Sequence, residues 1–284
     1  MTERHPGSAG DPGPPPSPAT LFPLLEGYFD AVPRPATRVE TLGPFTLFVQ
    51  RGAGWSYYAR PTLGATAFAV ADVERVRARQ RALGVPEAIE WVAETSPGLQ
   101  PAAAGAGLVV SSHPLLVLPP GGPRPVPAPD GIVLRLATAE DDVALIGAVA
   151  RLAFAHAGTA AGPQGPEDLP AVASARNADE VAFERERLRA GLMVTAVADA
   201  GGVPVGAGSH QPVGPVSEVV GIGVLPAYRR RGIGAALTAY LTADALSRGA
   251  RTVFLSAGDA RIARVYEGVG FRPVGTACAG EPPA

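Results

Sequence analysis

The chain of 284 residues contains no lysine; all 24 of its basic residues are arginine. An enzyme-bound Schiff base is thereby excluded, and with it aldolase-type and pyridoxal-type chemistry. Cysteine is almost as scarce. The single Cys278 rules out an intrachain disulfide and a cysteine-rich zinc site and points to a reducing compartment. Its place close to the end of the chain predicts an inert thiol at a frayed terminus. His156 and His210 are lone and unclustered, so they read as ordinary surface or pocket histidines and no metal is expected. No run of about 18 apolar residues occurs, and Met1–Ala19 lacks the apolar core of a secretory signal. A soluble, cytoplasmic protein with no membrane partner is the expectation. The 26 acidic residues leave a net charge of −2, too weak a field to hold a polyanion, so no nucleic-acid partner is expected either.

What is present is a chain long enough for two domains, with 46% hydrophobic residues and an excess of glycine (35) and proline (31). Much of that excess is local. Residues 1–18 cannot bury enough apolar area to offset ordering entropy and read as a disordered tail. Residues 119–130, from Pro119 to Asp130, form a stiff polyproline-biased linker. Two lobes follow, at 19–118 and 131–279.

In the C-terminal lobe, Gly131–Ala137 reads as a strand. Thr138-Ala-Glu-Asp then has the spacing of a capping-box variant ahead of a helix over 139–156. A second helix is expected around 168–190, stopped by Gly191. Strands Leu192–Ala198, Val203–Ser209 and Ser217–Leu225 come next, the first two joined by a Gly201-Gly202 hairpin turn. Ile233, Leu237 and Leu241 mark an amphipathic helix closed by Gly249. A strand over Arg251–Ser256, a helix over 259–267 and a strand over Phe271–Thr276 complete the lobe.

The N-terminal lobe is a shortened echo. Phe45–Val49 and Trp55–Arg60 read as a hairpin around Arg51–Gly54, and Ala71–Leu83 as a helix ended by Gly84. Ile89–Ala93 is a strand, Ser96 an N-cap with Pro97 at the first helical position, and Gly107-Leu108 leads into a further strand. Gly84 precedes Gly107 by 23 residues and Gly249 precedes Gly270 by 21, which suggests two copies of one fold.

The chemistry concentrates in Ser217–Ala235, a strand, a turn and a helix start. Gly232 and Gly234 let main-chain N–H groups converge with no Cβ in the way. With the positive end of the helix dipole, residues 229–235 make a phosphate cradle. It is not a P-loop, which needs lysine, nor a dinucleotide loop, since Leu237 stands at the third glycine position.

Val224-Leu-Pro-Ala-Tyr-Arg-Arg-Arg-Gly-Ile-Gly resembles the acyl-CoA pyrophosphate motif [QR]-x-x-G-x-[GA] of the GNAT acetyltransferase superfamily, filled here by Arg229, Gly232 and Gly234. Asp259–Phe271 is similar to the second signature of that family, with Asp259 in place of the common Asn. The resemblance covers roughly 131–276. It implies an α+β fold in which a mostly antiparallel sheet with splayed strands is flanked by helices, in two lobes here. It also implies an N-acetyltransferase that uses acetyl-CoA as co-substrate and needs no metal. The residues it implies for the cofactor are Gly223, Val224, Arg229, Arg230, Arg231, Gly232, Ile233, Gly234, Ala235 and Asp259. A main-chain N–H near Val224 would serve the oxyanion, Tyr266 would be the general acid and Glu218 a general base, with direct attack by an amine and no acyl-enzyme.

Each residue has a plainer reading: Tyr266 a tyrosine at the edge of the core, Glu218 a paired carboxylate, Arg229–Arg231 a solvated patch or a nucleic-acid contact. The N-terminal lobe has Ala103 at the place of Tyr266 and no Arg-x-x-Gly-x-Gly, so it reads as a degenerate half that buttresses the other and walls the acceptor pocket, the alternative being a protein-interaction module. Glu167, Asp168, Asp179, Glu180 and Glu184 either attract a cationic amine or form a solvated helix face. The acceptor, a small-molecule or peptide amine, stays open, as do acyl chain length and oligomeric state. A non-catalytic acyl-CoA-binding regulatory protein is the alternative.

Overall fold

A computed structural model describes residues 17–54, 58–156 and 158–283. The tail expected over 1–18 lies outside these up to residue 16, and Pro18 already begins a helix. That helix, α1 (Pro18–Ala31), was not expected from the proline-rich composition. Leu21, Leu25, Tyr28 and Phe29 recur at helical spacing and are all buried. There follow β1 (Thr37–Leu42), β2 (Phe45–Gln50), β3 (Ala59–Pro61), α2 (Val70–Leu83), β4 (Ile89–Val92), α3 (Leu99–Gly105) and β5 (Val109–Val117). Of the expected hairpin, Phe45 pairs with Pro61 and Leu47 with Ala59, while positions 55–57 lie outside the described residues. β1 is an addition to the expected set, turned at Gly43 (φ 59°) onto β2.

Gly84 caps α2 in the left-handed region, as its position suggested. The Ser96-Pro97 cap is corrected: Gly98 is the N-cap of α3, and Ser96 closes the preceding turn by accepting from the Leu99 N–H at 3.0 Å.

The second half runs β6 (Ile132–Leu136), α4 (Val143–Ala155), α5 (Leu169–Ser174), α6 (Ala178–Arg189), β7 (Val194–Ala200), β8 (Val203–Val213), β9 (Val216–Val224), α7 (Ile233–Ser247), β10 (Thr252–Ser256), α8 (Ala260–Val269) and β11 (Arg272–Glu281). α4 starts later than the expected 139 because the Asp141 carboxylate folds back onto Thr138, and Asp142, which accepts from the Leu145 N–H at 2.9 Å, is the cap. The single helix expected over 168–190 is two: α5 ends, and the Asn177 side chain caps α6 by accepting from the Asp179 and Glu180 N–H groups.

All strands join one 11-stranded sheet in the order β1-β2-β3-β4-β11-β5-β10-β9-β8-β7-β6. Its described pairings are antiparallel except β3–β4 and β9–β10. The lobes exchange strands at the centre. β5, from the first half, lies between β10 and β11, and β11, from the second half, lies between β4 and β5. For this reason β11 runs past the expected Thr276 to Glu281. It also takes Cys278 out of any frayed end: the thiol is 2% exposed, beside Trp91 and Ser112 in the register. Burial pushes it above its ordinary value, so it is inert for a different reason from the one expected.

α1 crosses the exchange. Its apolar stripe packs on Val92 of β4, Leu115 and Val117 of β5, Val216 of β9 and Phe254 of β10. Tyr28 and Phe29 both meet the Phe254 ring edge-on, at centroid distances of 5.0 and 5.3 Å.

Candidate functional site

The turn between β9 and α7 leaves the first N–H groups of the helix open. Gly232 is the N-cap of α7 at φ 88° and offers no side-chain cap to the first N–H groups of the helix. Two residues earlier Arg230, at φ 65°, is the one non-glycine residue with positive φ among those described. Left-handed backbone costs a residue with a Cβ roughly 1–2 kcal/mol. Strain of this kind is retained where surrounding structure holds it, typically at binding turns. Ile233 contributes main chain only, since its side chain is buried in the core, and Gly234 and Ala235 continue the first turn.

The three arginines divide their work. Arg229 turns inward and donates to the carbonyls of Val224, Ala153, His156 and Ala160, tying the end of α4 and the following loop to the cradle. Arg231 donates to the Ala227 carbonyl and lies 4.7 Å over the Tyr228 ring. Arg230 has no hydrogen-bond or ion-pair partner among the described residues. It lines a groove with Thr159, Arg261, Arg264 and Val265. Asp259, on the rim of that groove, caps α8 by accepting from the Arg261 and Ile262 N–H groups at 2.7 and 2.8 Å. Those bonds hold its carboxyl below the usual range, and they explain how Asp serves where Asn is common. Gly223 is required by close packing: a Cβ there would stand 3.0 Å from the Cβ of Ala153 on α4.

Between β9 and β10 the sheet opens. Their parallel register covers only Val216–Glu218 against Thr252–Phe254, while β9 continues alongside β8 as far as Val224. Glu218 is therefore the last paired residue before the cleft. A bulge opposite Gly208, with Gly221 at φ 66°, bends β9 just beyond it. This arrangement leaves one main-chain edge of β9, over 219–224, facing the opening and leading to the cradle.

Glu218 is half-buried. Its carboxyl is raised to about 8, first by desolvation and then by Glu90, against the opposing pull of Arg60 and the Tyr28 hydroxyl. Glu90 itself is raised to about 7, first by desolvation and then by Glu281, against the pull of Arg60. Arg60 lies 3.5 Å from Glu26 and 3.9 Å from Glu90, its guanidinium 4.1 Å over Phe29. The N-terminal lobe thus supplies charged groups to the surroundings of Glu218. Neither Glu90 nor Arg60 was singled out in the sequence; their alternation onto the face covered by α1 was hidden until α1 was known.

Tyr266, on α8, is 9% exposed and packs in the C-terminal core. Burial raises its hydroxyl to about 12, so it carries its proton throughout the neutral range.

Of the carboxylates suggested for an acceptor, Glu180 pairs with Arg151, Glu184 with Arg176, and Asp168 accepts from the Gly165 N–H. His156 lies at the end of α4, its ring bonded to the Leu152 carbonyl. His210 is corrected: it is fully buried, with Ser217 at 2.8 Å on Nδ1 and Asp244 at 2.9 Å on Nε2, and it anchors β8 and β9 to α7.

No curated protein matches the chain. Among solved structures, a GCN5-related N-acetyltransferase from Kribbella flavida is 23% identical, with 93% of this chain and 96% of that one covered at a TM-score of 0.69. A GCN5-related N-acetyltransferase from Sphaerobacter thermophilus is 18% identical, covering 86% and 84% at a TM-score of 0.54. A tandem GNAT protein from the clavulanic acid biosynthesis pathway is also 18% identical, covering 88% and 85% at 0.54. These likenesses extend over both halves and show that the N-terminal half is GNAT-like in fold. Residues 165–271 match the model of the acetyltransferase (GNAT) family.

Proposed function

We propose that the protein is an N-acetyltransferase that moves acetyl from acetyl-CoA to a primary amine by direct attack within a ternary complex. One observation carries the reading: the β9–β10 pairing ends at Glu218 and opens into a cleft whose β9 edge leads to the cradle of α7. The residues fit an acyl-CoA. The pyrophosphate would lie on the N–H groups from Arg230 to Ala235, with the Arg230 side chain free to neutralise it. The pantetheine arm would pair with the exposed edge of β9 at Gly223 and Val224. Arg229 contributes by fixing the loop.

In the reaction the amine nitrogen bonds to the thioester carbonyl carbon, and the carbonyl electron pair moves to oxygen. A main-chain N–H near Val224 would stabilise that oxyanion, and a donor of this kind is worth about 10² to 10³ in rate. Collapse breaks the carbon–sulfur bond. The sulfur takes the proton of the Tyr266 hydroxyl, and the nitrogen gives its proton to the Glu218 carboxylate, directly or through water; solvent then returns a proton to Tyr266 and takes one from Glu218. An acceptor that arrives as an ammonium would lower the Glu218 pKa, since an opposite charge favours the ionised carboxyl, and it gives up one proton to water before the neutral amine attacks.

The test is calorimetric titration of the full chain with acetyl-CoA, followed by CoA release with a panel of primary amines. One site per chain and amine-dependent release are expected. Absence of binding would overturn the reading, whereas binding without release from any amine would favour a regulatory acyl-CoA binder.

A further inference from the structure

Tyr28 belongs to α1, in the first half of the chain, yet it touches both strands that flank Glu218. Its hydroxyl donates to the main-chain carbonyl of Gln211 at 3.0 Å, and Gln211 is the β8 register partner of Glu218. Its ring meets Phe254 at 5.0 Å, and Phe254 is the β10 register partner of Glu218. The residue is 2% exposed, so neither contact is shared with solvent. A side chain that bridges the two neighbours of a third residue fixes the strand spacing at that residue, and here that residue stands at the vertex of the cleft.

We propose that Tyr28 is a positioning residue for Glu218, holding from the opposite lobe the two strands on either side of it, so that the acid–base group of the C-terminal lobe works only with α1 docked. This rests on the reading of Glu218 as the base. It gives a lobe without acyl-CoA machinery a direct part in the chemistry.

The electrostatics agree with the geometry. Burial, then Glu218 and Tyr58, push the Tyr28 hydroxyl well above its ordinary value, against the Glu218 backbone and Arg187 of α6, so the hydroxyl remains a donor. Its one proton goes to the Gln211 carbonyl, and the polar hydroxyl held there beside Glu218 works to lower that carboxyl. The other charged groups acting on Glu218 are Glu90 of β4, which raises it, and Arg60 of β3, which lowers it. Tyr28 is the one among these that also contacts the neighbouring strands of Glu218.

The test is Tyr28→Phe, which keeps the ring contact and deletes the hydroxyl. Two readouts are needed. In turnover, the rising limb of kcat/KM against pH is expected to move up by about one unit, with acetyl-CoA affinity and melting temperature close to those of the parent. Without turnover, carbon-NMR titration of the glutamate carboxyls, with Glu218 assigned from Glu218→Gln, is expected to show the same upward shift. An unchanged Glu218 titration in Tyr28→Phe would overturn the proposal, whatever the activity. If acetyl-CoA does not bind and no amine releases CoA, the acyltransferase reading falls, and the NMR titration still decides whether Tyr28 sets Glu218. Should Tyr28→Phe lower the melting temperature substantially, the NMR titration is made well below that temperature, where both proteins are folded and the comparison of Glu218 still decides.

Discussion

Ala59 and Glu218 hold equivalent places in the two halves. Ala59 of β3 pairs in parallel with Ile89, and Glu218 of β9 pairs in parallel with Phe254. Ile89 follows Gly84 by five residues, just as Phe254 follows Gly249 by five. Where one half has a carboxyl at the mouth of its cleft, the other has a methyl group with no exposure at all. Ala59→Glu is accordingly expected to add no second active site. It would bury a carboxylate among Phe45, Leu47 and Trp91, and the melting temperature should fall steeply, since such burial costs several kcal/mol unless the group is neutralised.

Replacement of Glu218 by Gln separates stability from activity. A carboxyl raised to about 8 in the folded chain, against 4.5 for its ordinary value, binds its proton more tightly folded than unfolded. Stability is then present in full at low pH and is lost as pH climbs toward 8. Glu218→Gln should melt like the parent near pH 5 and above it at pH 8 and beyond, while turnover drops by about 10² to 10⁴. A melting difference that does not vary with pH would contradict the assignment.

Tyr266→Phe should leave acetyl-CoA affinity intact, because the ring keeps its place in the core and the hydroxyl makes no hydrogen bond among the described residues. Turnover should fall by about 10² or more if the hydroxyl protonates the leaving sulfur. Equal turnover in both proteins would remove Tyr266 from the reaction.

The cradle can be tested at one backbone angle. Gly232 has room for a Cβ, its nearest neighbour being Pro129 at 4.0 Å, but its φ of 88° suits glycine alone. Gly232→Ala should cost about 1–2 kcal/mol of stability and weaken acetyl-CoA binding in calorimetry by at least about tenfold, or about 1.4 kcal/mol.

A fragment starting at Gly131 is expected not to fold alone. Without β5, the strands β10 and β11 lose the partner between them, and Phe254 loses α1. Circular dichroism and sedimentation of that fragment would show disorder or aggregation.

Much of this was legible in residues 217–271. There the strand–turn–helix pattern, the glycines and the caps at Asp259 and Gly270 all act over a few residues, and local chemistry decides them. The N-terminal lobe was legible where glycine stops a helix, at Gly84, and not where packing overrides composition. α1 holds Pro18 and Pro23, and its stability comes from Leu21, Leu25, Tyr28 and Phe29 meeting a sheet made from both halves. The strand exchange has no local signature, because β5 and β11 would read the same with either set of neighbours. Glu218 could be picked from its place in a motif, but its surroundings, Tyr28, Arg60 and Glu90, are far away in sequence.

The exchanged strands also impose an order on assembly. While the first half emerges from the ribosome it can form α2 and the β1–β2 hairpin, but β4 and β5 have no contact with each other until β11 arrives between them. The N-terminal lobe must therefore wait, with two strand edges open, for a segment made more than a hundred and fifty residues later. Folding proceeds by mutual completion, slowed by the long loops that must close first, and an interrupted chain leaves neither half finished.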